Sequence, residues 1–421
     1  MSTLVPWSLI ILNDISHTRS SKFLLAFAAL NLGLNYLWIS YNSLILPEQV
    51  LIAFPTPIRS IALGGIAAGG VALGVLMNLI SGIISDGIST KIGRRRPLII
   101  AGTALILPVM LFVAFFPYIS VLVIIDYILM ELASNLAQGS FQPLLPDLIP
   151  KEQRGEAAGY LGLFLLIGNA MGYGITGLLV GMGKLTLASI AVIPVIFVSS
   201  AITIYTIWRY DLGKRGKISI IKAINEMFRP TENVPRFFWL VVGSFFVLVG
   251  SSGLMYFELY YFTYVLGLKN PAYGVAITGL IVLLVAMVAA VGLGKLSDKT
   301  GRKKILIYTS IAGGISMSAL PFLKTFYTFL IAAAAVGATT GAFSSVEAAF
   351  AGDLSPVSAT GQYMAYSNLA VGGSSAIAPV IDGLVIYLAN GSINIGFMGM
   401  FLLSAAFYFT GSGLLFKAPE D

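Results

Sequence analysis

Twelve stretches of this chain are apolar over about the length that crosses a bilayer, and no other feature constrains its folding as much. A hydrocarbon core about 30 Å thick takes roughly 20 residues of helix. Residues 22–46, 60–84, 98–117, 119–142, 156–181, 185–208, 237–266, 272–295, 305–322, 325–350, 362–389 and 393–416 meet that requirement. Of the 421 residues, 57% are hydrophobic and 10% charged, against about 25% charged in soluble domains. The chain is predicted to be an all-α integral membrane protein with twelve transmembrane helices.

Twelve spans place both termini on one side. All 25 Lys and Arg residues except Arg59, Lys184, Lys269 and Lys324 fall in the terminal segments and loops of that side. This bias predicts cytoplasmic N- and C-termini in the cell membrane, and reads the net charge of +7 as a topology signal, with no nucleic-acid partner. The apolar LVPWSLIIL (4–12) lacks a preceding basic region and a small-residue cleavage site. It reads as an interfacial or disordered lead-in rather than a signal peptide. His17, the single histidine, reads as a solvated surface residue. The absence of cysteine excludes disulfides and thiolate metal sites; no metal and no cofactor are expected.

The longest polar interruption, 209–236, divides the chain into two six-helix bundles, 1–208 and 237–421. Within this linker KISIIKAINEMFR (217–229) spaces Ile220, Ile221, Ile224 and Phe228 at helical intervals. That pattern suits a helix on the inner membrane surface; a solvated linker is the alternative. The bundles repeat each other. GIISDGISTKIGRRRPLI (82–99) matches GKLSDKTGRKKILI (294–307), and PDLIPKEQRGEAAGY (146–160) matches GDLSPVSATGQYMAY (352–366). The second match has a constant offset of 206 residues, pairing Asp147 with Asp353, Gly155 with Gly361, Tyr160 with Tyr366 and Gly177 with Gly383. Parallel repeats imply two pseudo-symmetric bundles with a shared cavity between them.

Each copy of the first repeated loop sets an Asp at a helix end, then a glycine and a basic cluster. Asp86 can accept from a helix N-terminus or pair with an Arg, and Gly93 and Gly301 permit a tight turn. The arginines can reach carboxylates such as Asp147 and Glu152. A cytoplasmic gate is expected from Asp86, Gly93, Arg94, Arg95, Arg96, Asp147, Arg154, Asp298, Gly301, Arg302 and Asp353, its links forming when the inner side closes. A purely topogenic cluster would explain the arginines but not the paired Asp and Gly.

The pattern D-x(n)-G-R-[RK]-[RK] after the second span, repeated after the eighth, resembles the signature loop of the major facilitator superfamily. That resemblance covers essentially the whole chain and implies the major facilitator fold, with alternating access by rocking of the two bundles. SDGISTKIGRRRPLI further resembles the loop of the sucrose/proton symporters, near the glycoside–pentoside–hexuronide symporter group. The plant proteins carry a helix-4 pattern like L-D-V-A-N-N-M-L-Q-G-P-C-R-A-L-L-A-D-L, and MELASNLAQGSFQPLLPDL (130–148) follows it without a gap. Glu131 takes the place of the family's membrane aspartate, with Asn135, Gln138, Gly139 and Asp147 matched. IGNAMGY (167–173) is similar to the family's V-G-N-x-x-G-Y. The sequence departs at Gln142, where the family carries an arginine implicated in sugar and proton coupling.

Read from helical spacing alone, the polar residues form stripes. Glu131, Asn135, Gln138 and Gln142 share one face of the fourth span, and Asn31, Asn35, Trp38 and Asn42 repeat that spacing in the first. The fifth adds Asn169, Tyr173 and Thr176; the seventh Tyr256, Glu258, Tyr260 and Tyr261; the tenth Thr340, Ser344 and Glu347; the eleventh Asn368, Ser375 and Asp382. A charge at the bilayer centre costs roughly 2.5–3.5 kcal/mol on insertion scales, so Glu131, Glu258 and Glu347 are expected to face a cavity or a partner. Burial of a carboxyl without a counter-ion favours its neutral form, which makes these three the candidate proton carriers; neutral packing groups are the alternative. Asp126, off the Glu131 stripe, reads as an outer-vestibule or helix-end residue. Gly65, Gly69, Gly70 and Gly74 read as close-packing positions.

Asn31, Asn35, Trp38, Asn42, Asn135, Gln138, Gln142, Asn169, Tyr256, Tyr260 and Asn368 are the candidate substrate ligands. Amides satisfy sugar hydroxyls and aromatic faces cover their C–H surfaces, though the same groups could hold a lipophilic drug. The expected function is import of a sugar or glycoside coupled to a cation, a proton or alternatively sodium, by a monomer in the lipid bilayer. A proton-driven antiporter is the alternative, and a non-transporting membrane sensor a remote one. An anion carrier needs Arg or Lys in the cavity, and no span carries one centrally. A membrane enzyme lacks support, with no metal-ligand cluster and no phosphate-binding loop.

Overall fold

At membrane depth each backbone N–H and C=O must be paired without water, and a helix does this within its own segment. In the computed structural model, which describes residues 18–88, 90–210, 234–355, 360–389 and 391–419, twelve helices are long and apolar enough to cross a membrane. They are α1 (Ser21–Ala53), α2 (Thr56–Gly87), α3 (Arg96–Phe115), α4 (Ser120–Leu148), α5 (Lys151–Gly181), α6 (Leu185–Ile207), α7 (Phe237–Tyr264), α8 (Pro271–Thr300), α9 (Arg302–Phe322), α10 (Phe326–Leu354), α11 (Tyr366–Leu388) and α12 (Ile393–Leu415). The expected lead-in, His17 and the 217–229 helix lie outside the described residues. The end of the molecule bearing the α2–α3 and α8–α9 loops is called here the basic end, its opposite the far end.

Three helices depart from regular geometry. The predicted first span stops at 46, before Pro47, yet α1 continues to Ala53. A π turn at Tyr41–Ile45 precedes the proline, and the Leu46 N–H bonds back to the Tyr41 carbonyl; such local π adjustments re-pair backbone groups that a proline frees. A second π turn, Gly172–Thr176, lies in α5. The two widened turns are tied by a 2.7 Å hydrogen bond between the Ser40 and Thr176 hydroxyls. Helix α7 breaks at Gly253, between segments ending at Ser252 and starting at Leu254. A side chain at Gly253 would strike the Asp382 carboxylate of α11.

The two halves meet at the far end. There α2 and α11 touch backbone to backbone, with Gly64 against the Pro379 carbonyl and Gly383 against the Ser60 carbonyl. Between α5 and α8, Gly177 rests on Ala272 and Ala276, and Asn270 donates to the Gly181 carbonyl at 2.8 Å. Two further bonds close this seam: Tyr260 donates to the Pro47 carbonyl at 3.2 Å, and Arg59 to the Tyr264 hydroxyl at 2.9 Å.

The glycines of α2 differ in part from expectation. Gly70 lies under Tyr127, and Gly74 under Glu131 and Asn135, but at Gly65 and Gly69 nothing lies within 4 Å of where a Cβ would stand. They lie about 100° and 140° round the helix from Gly64, which makes the close approach instead. Replacing Gly383 by Val should therefore cost about 1–3 kcal/mol through overpacking, read as a lower Tm in detergent. The same change at Gly65 should leave Tm unmoved; equal losses at both sites would contradict the seam.

Candidate functional site

At the basic end the repeated loops build the same device twice. Gly93 and Gly301 both have positive φ, 110° and 97°, a conformation glycine adopts without steric cost. The turn at Gly93 delivers Arg95, 2% exposed, between two carboxylates: its Nη2 lies 2.8 Å from Asp86 and 2.7 Å from Asp147. Its Nη1 donates to the Ser85 hydroxyl at 2.7 Å. Arg94 also pairs with Asp147. Arg96 donates to the Trp208 carbonyl at 2.7 Å and lies over the Trp208 ring at 4.5 Å. In the second half Arg302 sits 2.7 Å from Asp353 and 3.4 Å from Asp298. Each of these contacts joins elements of one half. Arg154 holds the α4–α5 turn through the Ile149 and Pro146 carbonyls.

Midway along α4 a second cluster forms. Glu131, 4% exposed, accepts from Asn135 Nδ2 at 3.0 Å, and Asn135 Oδ1 accepts from Asn78 of α2 at 3.3 Å. Gly74 leaves space for both side chains. One turn toward the far end, Tyr127 donates to Asn42 of α1 at 3.0 Å and lies beside both the Glu131 carboxyl and the Tyr256 hydroxyl of α7. Trp38 donates to Ser134 at 3.1 Å. Among the described residues no Lys or Arg pairs with Glu131. Its neighbours are hydroxyls and amides, which can donate to the ionised carboxyl or accept from the protonated one.

The predicted proton carriers occupy three separate places. Glu258 is buried beside Thr278 of α8 and Tyr173 of α5, with Oε1 making no hydrogen bond. Glu347 accepts from Ser367 of α11 at 2.7 Å, about two turns from the basic end of α10. Of the predicted substrate ligands, Asn42, Asn135 and Tyr256 gather around Glu131, with Trp38 close by. Asn31 donates to the Leu161 carbonyl of α5, and Asn35 to the Asn31 carbonyl one turn back in α1. Tyr260 belongs to the far-end seam. Gln138 is half-buried with Oε1 unpaired, Asn169 is half-buried, and Asn368 is exposed. Gln142 is exposed as well, at the turn that ends the regular part of α4 before Pro143.

Sequence spacing passed over Tyr127, although it lies four residues from Glu131 on the same helical face, and Asn78. It also misplaced Asp126. That residue is 2% exposed and lies six residues inside α4, not in a vestibule or at the helix end.

A bundle pair of this form, with carboxyls buried between helices and arginine-clamped loops on one side, defines a polytopic membrane transporter. The chain belongs to the Major Facilitator Superfamily, whose family model matches residues 23–323 and 286–421. The nucleoside transporter NupG has a similar structure, with a TM-score of 0.70 at 12% identity over 94% of this chain and 99% of that one; a likeness at that identity concerns the fold. In sequence the chain is 28% identical over 171 residues to sucrose transport protein SUC4 of Arabidopsis thaliana, covering 37% of this chain and 33% of the relative. It is 28% identical over 171 residues to the general alpha-glucoside permease of Schizosaccharomyces pombe, covering 37% of this chain and 30% of the relative. The match thus spans about a third of the length of these relatives.

The two loop devices differ in burial, which sets an expectation. Asp86 and Asp147 are 30% and 21% exposed, Asp298 and Asp353 62% and 56%. Arg95→Ala should cost about 1.5–3 kcal/mol, as for hydrogen bonds to charged groups, and Arg302→Ala below about 1 kcal/mol, as for an exposed pair. Thermal unfolding of the two purified variants checks the order, and the reverse order would count against this account.

Proposed function

We propose that this transporter imports a neutral polyhydroxylated solute, a sugar or glycoside, by symport with a proton that Glu131 carries. The observation that carries this reading is the position of Glu131: a buried carboxyl with no cationic partner, linked through Tyr127 to Tyr256 on the opposite half. A proton there alters a group at the boundary across which the halves would move, and that is the requirement for coupling. The amides and aromatic faces of Asn42, Asn135, Trp38 and Tyr256 suit hydroxyl-rich ligands. The sugar assignment draws its support from the two relatives above.

On this reading the basic end is cytoplasmic, both termini are cytoplasmic, and the far-end seam closes the outer side. The loop devices keep each half rigid while the bundles rock about the site, and the protein works as a monomer. Reconstituted protein should accumulate a labelled glucoside under an inward proton gradient. Glu131→Gln should abolish accumulation while retaining exchange of labelled for unlabelled solute. Full accumulation by the variant would remove Glu131 from coupling, and proton-driven expulsion of organic cations without sugar uptake would favour an antiporter.

A further inference from the structure

At the far end a cavity of about 680 Å³ straddles the seam between the halves. Its polar lining is Thr56, Arg59 and Ser60 of the first half and Tyr260, Tyr264 and Tyr387 of the second. These residues stand at the start of α2 and the ends of α7 and α11, joined by the start of α12 at Ile393. Helix ends lie where hydrocarbon gives way to headgroups, the level at which tyrosines collect. No residue of the Glu131 cluster lines this space.

Among the described residues Arg59 is the cavity's one charged side chain. Glu48 lies within electrostatic reach of Tyr260 but does not line the space. Arg59 donates from Nε to the Phe54 carbonyl and from Nη1 to the Tyr264 hydroxyl. No carboxylate among the described residues pairs with it, and its Nη2 has no partner there. Ser60 is 8% exposed and fronts the cavity, yet its hydroxyl makes no hydrogen bond to a described residue. A buried hydroxyl left unpaired is costly, and a guanidinium without a counter-charge is a ready partner for an anion. The start of α12, which no side chain caps, adds the positive end of a helix dipole.

We propose that this cavity binds the phosphate headgroup of an anionic phospholipid, with Arg59 and the Ser60 and Tyr264 hydroxyls as donors. Arginine holds phosphate through parallel N–H bonds, and Tyr264, which accepts from Arg59, keeps its own O–H to donate. The apolar surface beside the cavity points to a lipid rather than a soluble anion. Ile377, Val380, Leu384 and Leu388 are exposed at intervals of three or four residues, which sets them on one face of α11. Leu388 also lines the cavity, so a headgroup held there lays its acyl chains along that face. Because the donors come from both halves, the bound lipid adds a tie across the seam and favours the closed far end.

The test titrates full-length protein in uncharged detergent, at constant ionic strength, with short-chain phosphatidylglycerol. Diacylglycerol of the same chain length, glycerol 3-phosphate and inorganic phosphate are titrated beside it. Wild type should show a saturable rise in Tm with phosphatidylglycerol alone. Arg59→Gln should raise the half-saturating concentration roughly tenfold or more, as loss of a hydrogen bond to a charged group does. Leu388→Asp, at a side chain 67% exposed, should raise it as well, by like-charge repulsion. Lys324→Gln, which removes a far-end cation outside the cavity, should match wild type. If Arg59→Gln does not fold, Leu388→Asp with a wild-type elution profile decides. An equal response to either soluble phosphate would overturn the lipid assignment in favour of a free anion, and an equal response to diacylglycerol in favour of an acyl groove. No saturable response in wild type would also sink the proposal, as would an undiminished response in both cavity variants.

Discussion

Polar groups at membrane depth have no bulk water to bond, and this one constraint organises the molecule. Glu131 is tolerated in the middle of α4 because Asn135 donates to it and Asn78 holds Asn135. Backbone obeys the same rule. Where Pro47 frees a carbonyl, α1 widens into a π turn rather than ending, and the Ser40–Thr176 hydroxyl pair pins that turn to its counterpart in α5. Departures from regular helix therefore sit beside the polar cluster, where α1, α4, α5 and α7 converge. π turns recur at functional sites for a related reason: the added residue re-aims side chains that a regular helix would carry away.

Contacts within a half and contacts between halves differ in kind. Within each half, charged pairs lock the loop after its second helix to the end of its fourth: Arg95 to Asp147, and Arg302 to Asp353. Between the halves, the far-end seam consists of glycine and carbonyl surfaces with a few neutral or rim hydrogen bonds. Small residues let backbones approach without interlocking side chains, so such a seam can separate without stripping buried charges of their partners. Ionic contacts keep the bundles intact, while weaker directional bonds join them.

The repeat, the spans and Glu131 were legible in the sequence because each leaves a linear trace: a fixed offset, a run of fixed length, a stripe at helical spacing. Gln142 shows where that reading runs out. Its spacing continues the Glu131 stripe, but the regular helix ends at that residue, before Pro143, and its side chain is exposed. Gly65 and Gly69 failed for a related reason, since a small residue states that close packing is allowed and not which face receives it. Gln49 lay beyond the predicted end of the first span, where α1 continues through a π turn that is itself invisible to a fixed helical period.

That no Lys or Arg pairs with Glu131 among the described residues then takes on a physical meaning under the proposed function. A cation facing Glu131 would hold it ionised and would make loss of that pairing the coupling event. Here the carboxyl is surrounded by Asn135, Tyr127 and Tyr256, all neutral. Coupling must come from the different hydrogen bonds that the protonated and ionised carboxyls make with those groups. A ligand shifts a conformational equilibrium only by its differential interaction with the two states, and Tyr256 supplies the difference because it belongs to the other half. When the halves part at this level the Tyr127–Tyr256 contact changes, and the stability of the Glu131 proton changes with it. A neutral polar cluster spanning the boundary can therefore replace an ion pair as the element that senses both proton and conformation.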